Sequence, residues 1–184
     1  MPRRIALVLL VLMLVFASSA QATTVRFVDF QALVGSSDFI FMGTVESVQA
    51  KNLGDKDLPR LVTDVRFSIQ RVFKGRNTKS FTIRLIGGSS DGYTLRIPGQ
   101  PTFKPQEEVV LFLEKTAADN FAICGMEQGK FTVTRDDKGK AQVVRDVSSE
   151  VVVIPETPSE SDKDAQLVRF MSLEKLLSII RKHR

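Results

Sequence analysis

LVTDVRFSIQRVFKG, residues 61–75, is the stretch on which the fold turns. Leu61, Thr63, Val65, Phe67, Ile69 and Phe73 are spaced for one face of an extended chain, and Asp64, Arg66, Ser68 and Gln70 for the other. Side chains of a strand alternate between its two faces. Period two over this length therefore predicts a long, half-buried antiparallel strand. The pattern returns further on: SFTIRLI (80–86) places Phe81, Ile83 and Leu85 inward, and GYTLRI (92–97) places Tyr93, Leu95 and Ile97 inward. DFIFMGTVESV (38–48) is apolar on both faces at first and alternates later, and KNLGDKDLPR (51–60) is a charged loop. VVLFL (109–113) is an unbroken apolar run, as expected of a strand covered on both sides. Residues 121–124 and 131–135 follow, then the turn RDDKGK, with Gly139 available for positive φ, into 141–145. Seven or eight short strands joined by Gly, Pro and Asp turns, without βαβ alternation or internal repeat, predict an all-β sandwich or barrel.

Two helices flank this β region. Residues 28–34 read as a short helix capped by Asp29, stapled by Val28 and Leu33, and ended by Gly35. At the other end Leu173, Leu176, Leu177 and Ile180 fall at i, i+3, i+4, i+7. Ser172 is placed to cap that helix, Met171 and Leu176 to staple it, and Arg181 and Lys182 suit the negative end of its dipole. Such a helix covers a barrel end, docks on a partner or lies on a membrane; docking on its own chain is the expectation. Residues 151–154 read as a last strand, and PETPSESDKDAQ before the helix reads as a solvated linker. The expected organisation is 1–22 export signal, 23–154 β-barrel domain, 155–168 linker and 169–184 C-terminal helix.

The export signal rests on three features. Pro2-Arg3-Arg4 is a positive start, residues 5–16 are almost purely Leu, Val and Ile, and Ala20-Gln21-Ala22 is the small-residue triplet of a cleavage site before Thr23. The apolar run is short of the ~20 residues that span a bilayer as a helix, so cleavage is expected rather than anchoring. The residues around the two arginines suit ordinary secretion better than twin-arginine export. The only cysteine is Cys124, so no lipid-bearing Cys follows the cleavage point. Removing Arg3 and Arg4 from 26 basic side chains leaves 24 against 21 acidic ones, a mild charge of about +3. The expected product is periplasmic or secreted, without a membrane span, and Cys124 in NFAICGM reads as a core thiol.

Catalytic sets are missing from the pattern. The single histidine, His183, is next to last, which removes Ser-His-Asp and Cys-His systems and histidine zinc sites. No S-x-x-K motif sits where a helix would use it. The acid pairs Asp55/Asp57, Glu107/Glu108 and Asp136/Asp137 sit in loops or at strand starts, where both members of a pair are solvated and neither becomes a proton donor. GGSSDG (87–92) lacks the Lys-Ser/Thr ending of a phosphate loop and opens no helix, so it reads as a hairpin loop. Arg66, Arg84 and Arg96 fall on the polar face of three successive strands, and Arg71, Lys74, Arg76 and Lys79 cluster at a turn. The aromatics needed for base stacking point to the opposite face, so an ordinary solvated face is expected and no nucleic acid. No catalytic residue, metal or cofactor is assigned.

RIPGQPTFKPQEEVVLFLEK (96–115) holds the candidate interaction loop: Pro98, Gly99, Pro101, Phe103 and Pro105. Its prolines fix φ and leave no spare N–H, Phe103 is expected to pack on the barrel mouth, and Glu107 and Glu108 to solvate the start of the buried strand. Whatever the loop does, it does by shape.

Taken together, SSDFIFMGTVESV, RLVTDVRFSIQRVFKG, SFTIRL and ICGM resemble the netrin-like module of tissue inhibitors of metalloproteinases, an OB-type barrel. The likeness covers roughly residues 28–133. It includes a short helix before the strand at Asp38, the Phe73-Lys74-Gly75 corner, and Cys124-Gly125 downstream. The chain is also similar to uncharacterised exported bacterial proteins with the signature P-G-x-P-x-F-x-x-G-x-x-x-x-L-F-L. Here Pro105-Gln106 departs from that signature, which implies a different turn. The resemblance implies an OB-like, netrin-like antiparallel β-barrel. The inhibitors chelate a protease zinc through an N-terminal Cys, and the expected mature terminus here is Thr23-Thr24-Val25, so that mechanism does not carry over. The expected function is an exported, non-catalytic binding or structural protein whose partner is a protein or envelope component. The alternative is a protease inhibitor that does not use N-terminal cysteine zinc chelation.

Overall fold

The computed structural model describes residues 23–116, 120–145, 151–154 and 170–184. The expected export segment, with Ala20 and Ala22, and the expected linker 155–168 lie outside the described residues. In chain order come β1 (Thr23–Arg26), α1 (Phe30–Ser36), β2 (Phe39–Asn52), β3 (Leu61–Lys74), β4 (Ser80–Ile86), β5 (Gly88–Ser90), β6 (Tyr93–Leu95), β7 (Glu108–Lys115) and β8 (Phe121–Ile123). A 3-10 turn (Met126–Gly129), β9 (Lys130–Arg135), β10 (Ala141–Arg145), β11 (Val151–Ile154), β12 (Phe170–Ser172) and α2 (Leu173–His183) complete the chain. The protein is mainly β: one antiparallel sheet ordered β12-β10-β9-β7-β2-β3-β4, with β8 also on β7, and two small pairs, parallel β1-β11 and antiparallel β5-β6.

The two faces of β2 and β7 carry separate cores. Ile40, Val110 and Phe112 join Leu33, Val34, Phe131, Val133, Val143, Leu176 and Ile180 in a helix-side core. Phe39, Phe41, Val45, Val109, Leu111 and Leu113 join Val65, Phe67, Ile83, Phe103 and Ile123 in a loop-side core. All five residues of 109–113 are fully buried, as the unbroken run predicts.

Three register shifts along β2–β3 bend this pair, between Ile40/Phe41, Met42/Gly43 and Val45/Ser47. They correct the simple alternation read for β3. Phe73 is unpaired between the Ile40–Lys74 and Phe41–Val72 partners, and it turns into the helix-side core while Phe67 stays in the other.

The bend curls the sheet around the loop-side core without closing it, which corrects the barrel expectation. Among the described residues the hydrogen-bonded path ends at β4 and at β12, and no ladder joins β4 to β8. Rings meet there instead: Phe81 and Phe121 stand edge to face at 5.3 Å, and Phe39 touches both at 5.0 and 6.1 Å. Tyr93 and Leu95, expected inward, are 40% and 42% exposed. Gly87 and Gly88 both take positive φ and turn the chain off β4 into the separate β5-β6 hairpin, so its side chains no longer share the β4 face.

The helix caps follow local chemistry. Asp29 caps α1, its carboxylate accepting from Ala32 N–H at 2.7 Å, and Val28 and Leu33 share the helix-side core. The helix runs on to Ser36, so Gly35 lies inside it, and Ser37 makes the C-cap. Lys74 Nζ donates to Val34 O at 2.9 Å, placing a cation at that terminus. Ser172 caps α2 through Lys175 N–H at 3.2 Å, and Leu176 and Ile180 dock the helix on its own chain. Cys124 is buried in the same core, 3.3 Å from Ser37 Oγ, and burial pushes its thiol pKa up.

Arg145 is the one fully enclosed guanidinium among the described residues. It donates to Gln128 O at 2.9 Å and Val28 O at 2.8 Å, with the rings of Phe27, Phe30 and Phe131 at 5.4–5.7 Å. Burial holds its pKa down to about 10. The side chain pins the segment before α1 onto β10 and the 3-10 turn. Among the described residues no helix is long and apolar enough to cross a membrane.

Candidate functional site

The candidate loop is built from two turns of one kind. Ile97-Pro98-Gly99-Gln100 closes through Gln100 N–H to Ile97 O at 3.1 Å, with Gly99 at φ +75°. Lys104-Pro105-Gln106-Glu107 closes through Glu107 N–H to Lys104 O at 3.1 Å, with Gln106 at φ +67°. Proline second and positive φ third define a type II turn. Pro105-Gln106, where the sequence departs from the signature, thus forms a type II turn here. Gln106 occupies a left-handed position that glycine fills without strain.

Five hydrogen bonds fix the loop to the sheet and the 3-10 turn. Glu127 N–H donates to Gly99 O (2.9 Å), Gln100 Nε2 to Ile86 O (2.7 Å) and Lys130 Nζ to Thr102 O (2.6 Å). Gln106 N–H donates to Val45 O (2.9 Å), and Val45 N–H to Glu107 O (2.8 Å). Phe103 is buried edge-on against Phe67 at 5.5 Å, with Lys130 Nζ 4.7 Å above its ring. The loop is thus a rigid wall of the loop-side core.

Between this wall and the β5-β6 hairpin lies a groove of about 570 Å³. Val48, Val65, Leu85 and Phe103 give it apolar lining, and Thr63, Ser89, Thr94, Arg96, Gln100 and Glu127 give it polar groups. Its size and mixed lining are those of small-ligand or peptide-side-chain sites, about 300–1,000 Å³. Of the five loop residues singled out, Pro98, Gly99, Pro101 and Phe103 line the groove and Pro105 does not. Gly99, Pro101 and Phe103 are buried, so they shape the wall from behind, while Pro98 and Pro105 are exposed.

Lys130, 7% exposed, is the site residue that sequence reasoning missed. Its ammonium meets Glu107 Oε1 at 2.6 Å, and Thr132 Oγ1 donates to the same oxygen at 2.9 Å. Glu107 Oε2 accepts from Lys104 N–H at 3.0 Å, so this carboxylate ties the second turn to β9. Glu108 pairs with Arg135 at 2.5 Å. The expectation that Glu107 and Glu108 are solvated is therefore corrected: both side chains are about 15% exposed, and β9 supplies their partners.

Arg66, Asp64, Arg84 and Asp136 are tied up locally. Arg66 pairs with Glu46 at 2.8 Å, and Asp64 is held between Arg84 at 2.6 Å and Lys51 at 3.0 Å. The hydrogen bonds from Arg84 lower the Asp64 pKa to about 2, outweighing the opposing effect of burial. Arg96 lies beyond β6, so the three arginines expected on successive strands do not form a stripe. Asp136 Oδ1 accepts from Lys138 and Lys140 N–H and caps its own turn. GGSSDG forms the β5-β6 hairpin through Asp91 and Gly92, both at positive φ. Among the described residues no three His, Cys, Asp or Glu side chains converge as for a metal ion. Protein-family models, curated proteins and solved structures contain no match to this chain.

Proposed function

We propose that the chain is an exported, non-catalytic binding protein that presents the groove beneath the proline loop to a protein or other envelope component. The observation that carries the reading is the loop itself. Two proline turns and five hydrogen bonds hold residues 97–107 as a preformed wall, so a partner meets a surface whose ordering cost falls on folding and not on binding. Support for a non-catalytic role comes from the carboxylates at hand. Asp64, Glu107 and Glu108 are engaged as ion-paired acceptors, and burial keeps Cys124 in its thiol form.

We also propose that the curled sheet is an OB-type, netrin-like barrel left open between β4 and β8. Support for this relation comes from α1 leading into β2 and from the corner at Phe73-Lys74-Gly75. Gly75 sits there at φ +95°, and an added Cβ would stand 2.8 Å from Asp38 O.

The test is affinity capture from envelope extract with the protein and with its Leu95→Arg variant, a change on the exposed hairpin at the groove. A component retained by the first and lost from the second is expected, and a captured protease would narrow the role to inhibition. Turnover of a hydrolase substrate that disappears on mutating Glu107 or Asp64 would overturn the reading.

A further inference from the structure

A second groove, sharing no lining residue with the first, runs along the open side of the sheet. β4 is the end strand there, and the hydrogen-bond alternation fixes which of its groups face outward. Gly87 N–H donates to Leu61 O and Ile69 N–H to Lys79 O, each at 2.8 Å, at the two ends of the regular β3–β4 register. Antiparallel bonding alternates residue by residue. Phe81, Ile83 and Leu85 therefore bond to β3, while Ser80, Thr82, Arg84 and Ile86 turn their amides and carbonyls outward. The flanking carbonyls are covered by side chains: Thr78 Oγ1 donates to Ser80 O at 2.9 Å, and Gln100 Nε2 donates to Ile86 O at 2.7 Å. Thr82 and Arg84, in the centre, meet no strand among the described residues.

These open groups border a groove of about 660 Å³ between β4 and β8. Phe39, Phe81, Ile83 and Phe121 give it an apolar floor. Among the described residues two carboxylates line it and both are engaged, Asp38 by Lys115 N–H at 2.7 Å and Asp64 by Arg84 and Lys51. Arg76 also lines it and makes no ion pair among the described residues, so the unspent charge is positive.

We propose that this edge takes up an extended peptide segment of a partner protein, added as a strand at Thr82 and Arg84. One apolar side chain of the segment enters the aromatic floor, and an acidic side chain on the alternate face meets Arg76. Strand addition draws its affinity from main-chain bonds and its selectivity from alternate side chains. The covered carbonyls of Ser80 and Ile86 limit the docked segment to a few residues.

The probe is an acetylated seven-residue peptide of alternating valine and glutamate, titrated onto the protein by fluorescence anisotropy and by backbone amide NMR. Binding is expected to shift the Thr82 and Arg84 amides, and N-methylation of the two central peptide amides is expected to weaken it about tenfold or more. Arg76→Glu is expected to weaken it about threefold to tenfold. Thr82→Pro is expected to abolish it while sparing the β3–β4 ladder, because the N–H that proline removes faces outward. Equal binding of the methylated and unmethylated peptides overturns the proposal, as does binding indifferent to both Arg76→Glu and Thr82→Pro. A dimer of the protein that Thr82→Pro dissolves also overturns it, in favour of pairing between two copies.

Discussion

The helix-side and loop-side cores lie on opposite faces of the same two strands, yet they are sealed by different means. α1 and α2 close the first, and a helix satisfies its backbone internally, so the closure leaves no open hydrogen-bonding edge. The second is closed by the curl of its own sheet, by rings meeting across the β4–β8 gap, and by the proline loop. Side-chain closure leaves gaps at its margins, and both grooves open on this core. A single sheet thus carries one face for stability and one face with access.

The largest contrast is expected from aromatic truncation. Phe112→Ala, in the helix-side core, should lower unfolding free energy by about 3–5 kcal/mol, the range for a fully enclosed ring. Phe121→Ala, on the half-buried seam, should cost only about 1–2 kcal/mol, because part of the cavity opens to solvent. Urea titration of both variants checks this, and equal losses would break the distinction between the cores.

A smaller effect is expected from pH at the groove beside β4. The folded pKa of Asp64 lies near 2, below its ordinary value, so its contribution is complete above about pH 4 and is lost as pH falls toward 2. Its partners are about half exposed, so the contribution is modest and salt-sensitive. Thermal unfolding between pH 5 and pH 2.5 should show a steeper loss for the wild type than for Asp64→Asn. Parallel curves would mean that the Arg84–Asp64–Lys51 tie holds nothing at the seam.

The smallest expected change sharpens the role of the proline loop. Gln106→Gly should raise stability by up to about 1 kcal/mol, since it relieves a left-handed side-chain residue at the cost of a more flexible unfolded chain. A shift in urea midpoint measures the balance, and a destabilised variant would show that the Gln106 side chain contributes more than its strain costs.

Much of this architecture was legible in residue order. The long alternation at 61–69, the buried run at 109–113, the caps Asp29 and Ser172 and the turn at Gly139 all follow from short-range chemistry, and all are present. Period two is blind to an extra residue, so the bulge at Phe73 and the split into two cores were out of reach. The pairing of Glu107 and Glu108 was hidden for another reason. Lys130, Thr132 and Arg135 lie 23–27 residues away, and only the β7–β9 ladder brings them alongside. The aromatic enclosure of Arg145 draws likewise on rings scattered from Phe27 to Phe131. The two turns that fix the proline loop were half visible: Pro98-Gly99 announces its turn, whereas Pro105-Gln106 disguises one.

Because successive residues of β7 belong to different cores, this strand is read in a frame. Losing one codon within 109–113 would send Phe112 toward the rings around Phe41 and deliver Leu111 to the helices, exchanging the contents of both cores at once. The same deletion in the exposed stretch 55–59 would shorten a loop and leave both cores in place. Length variation among descendants of this gene is therefore expected to gather in the loops and to spare β7.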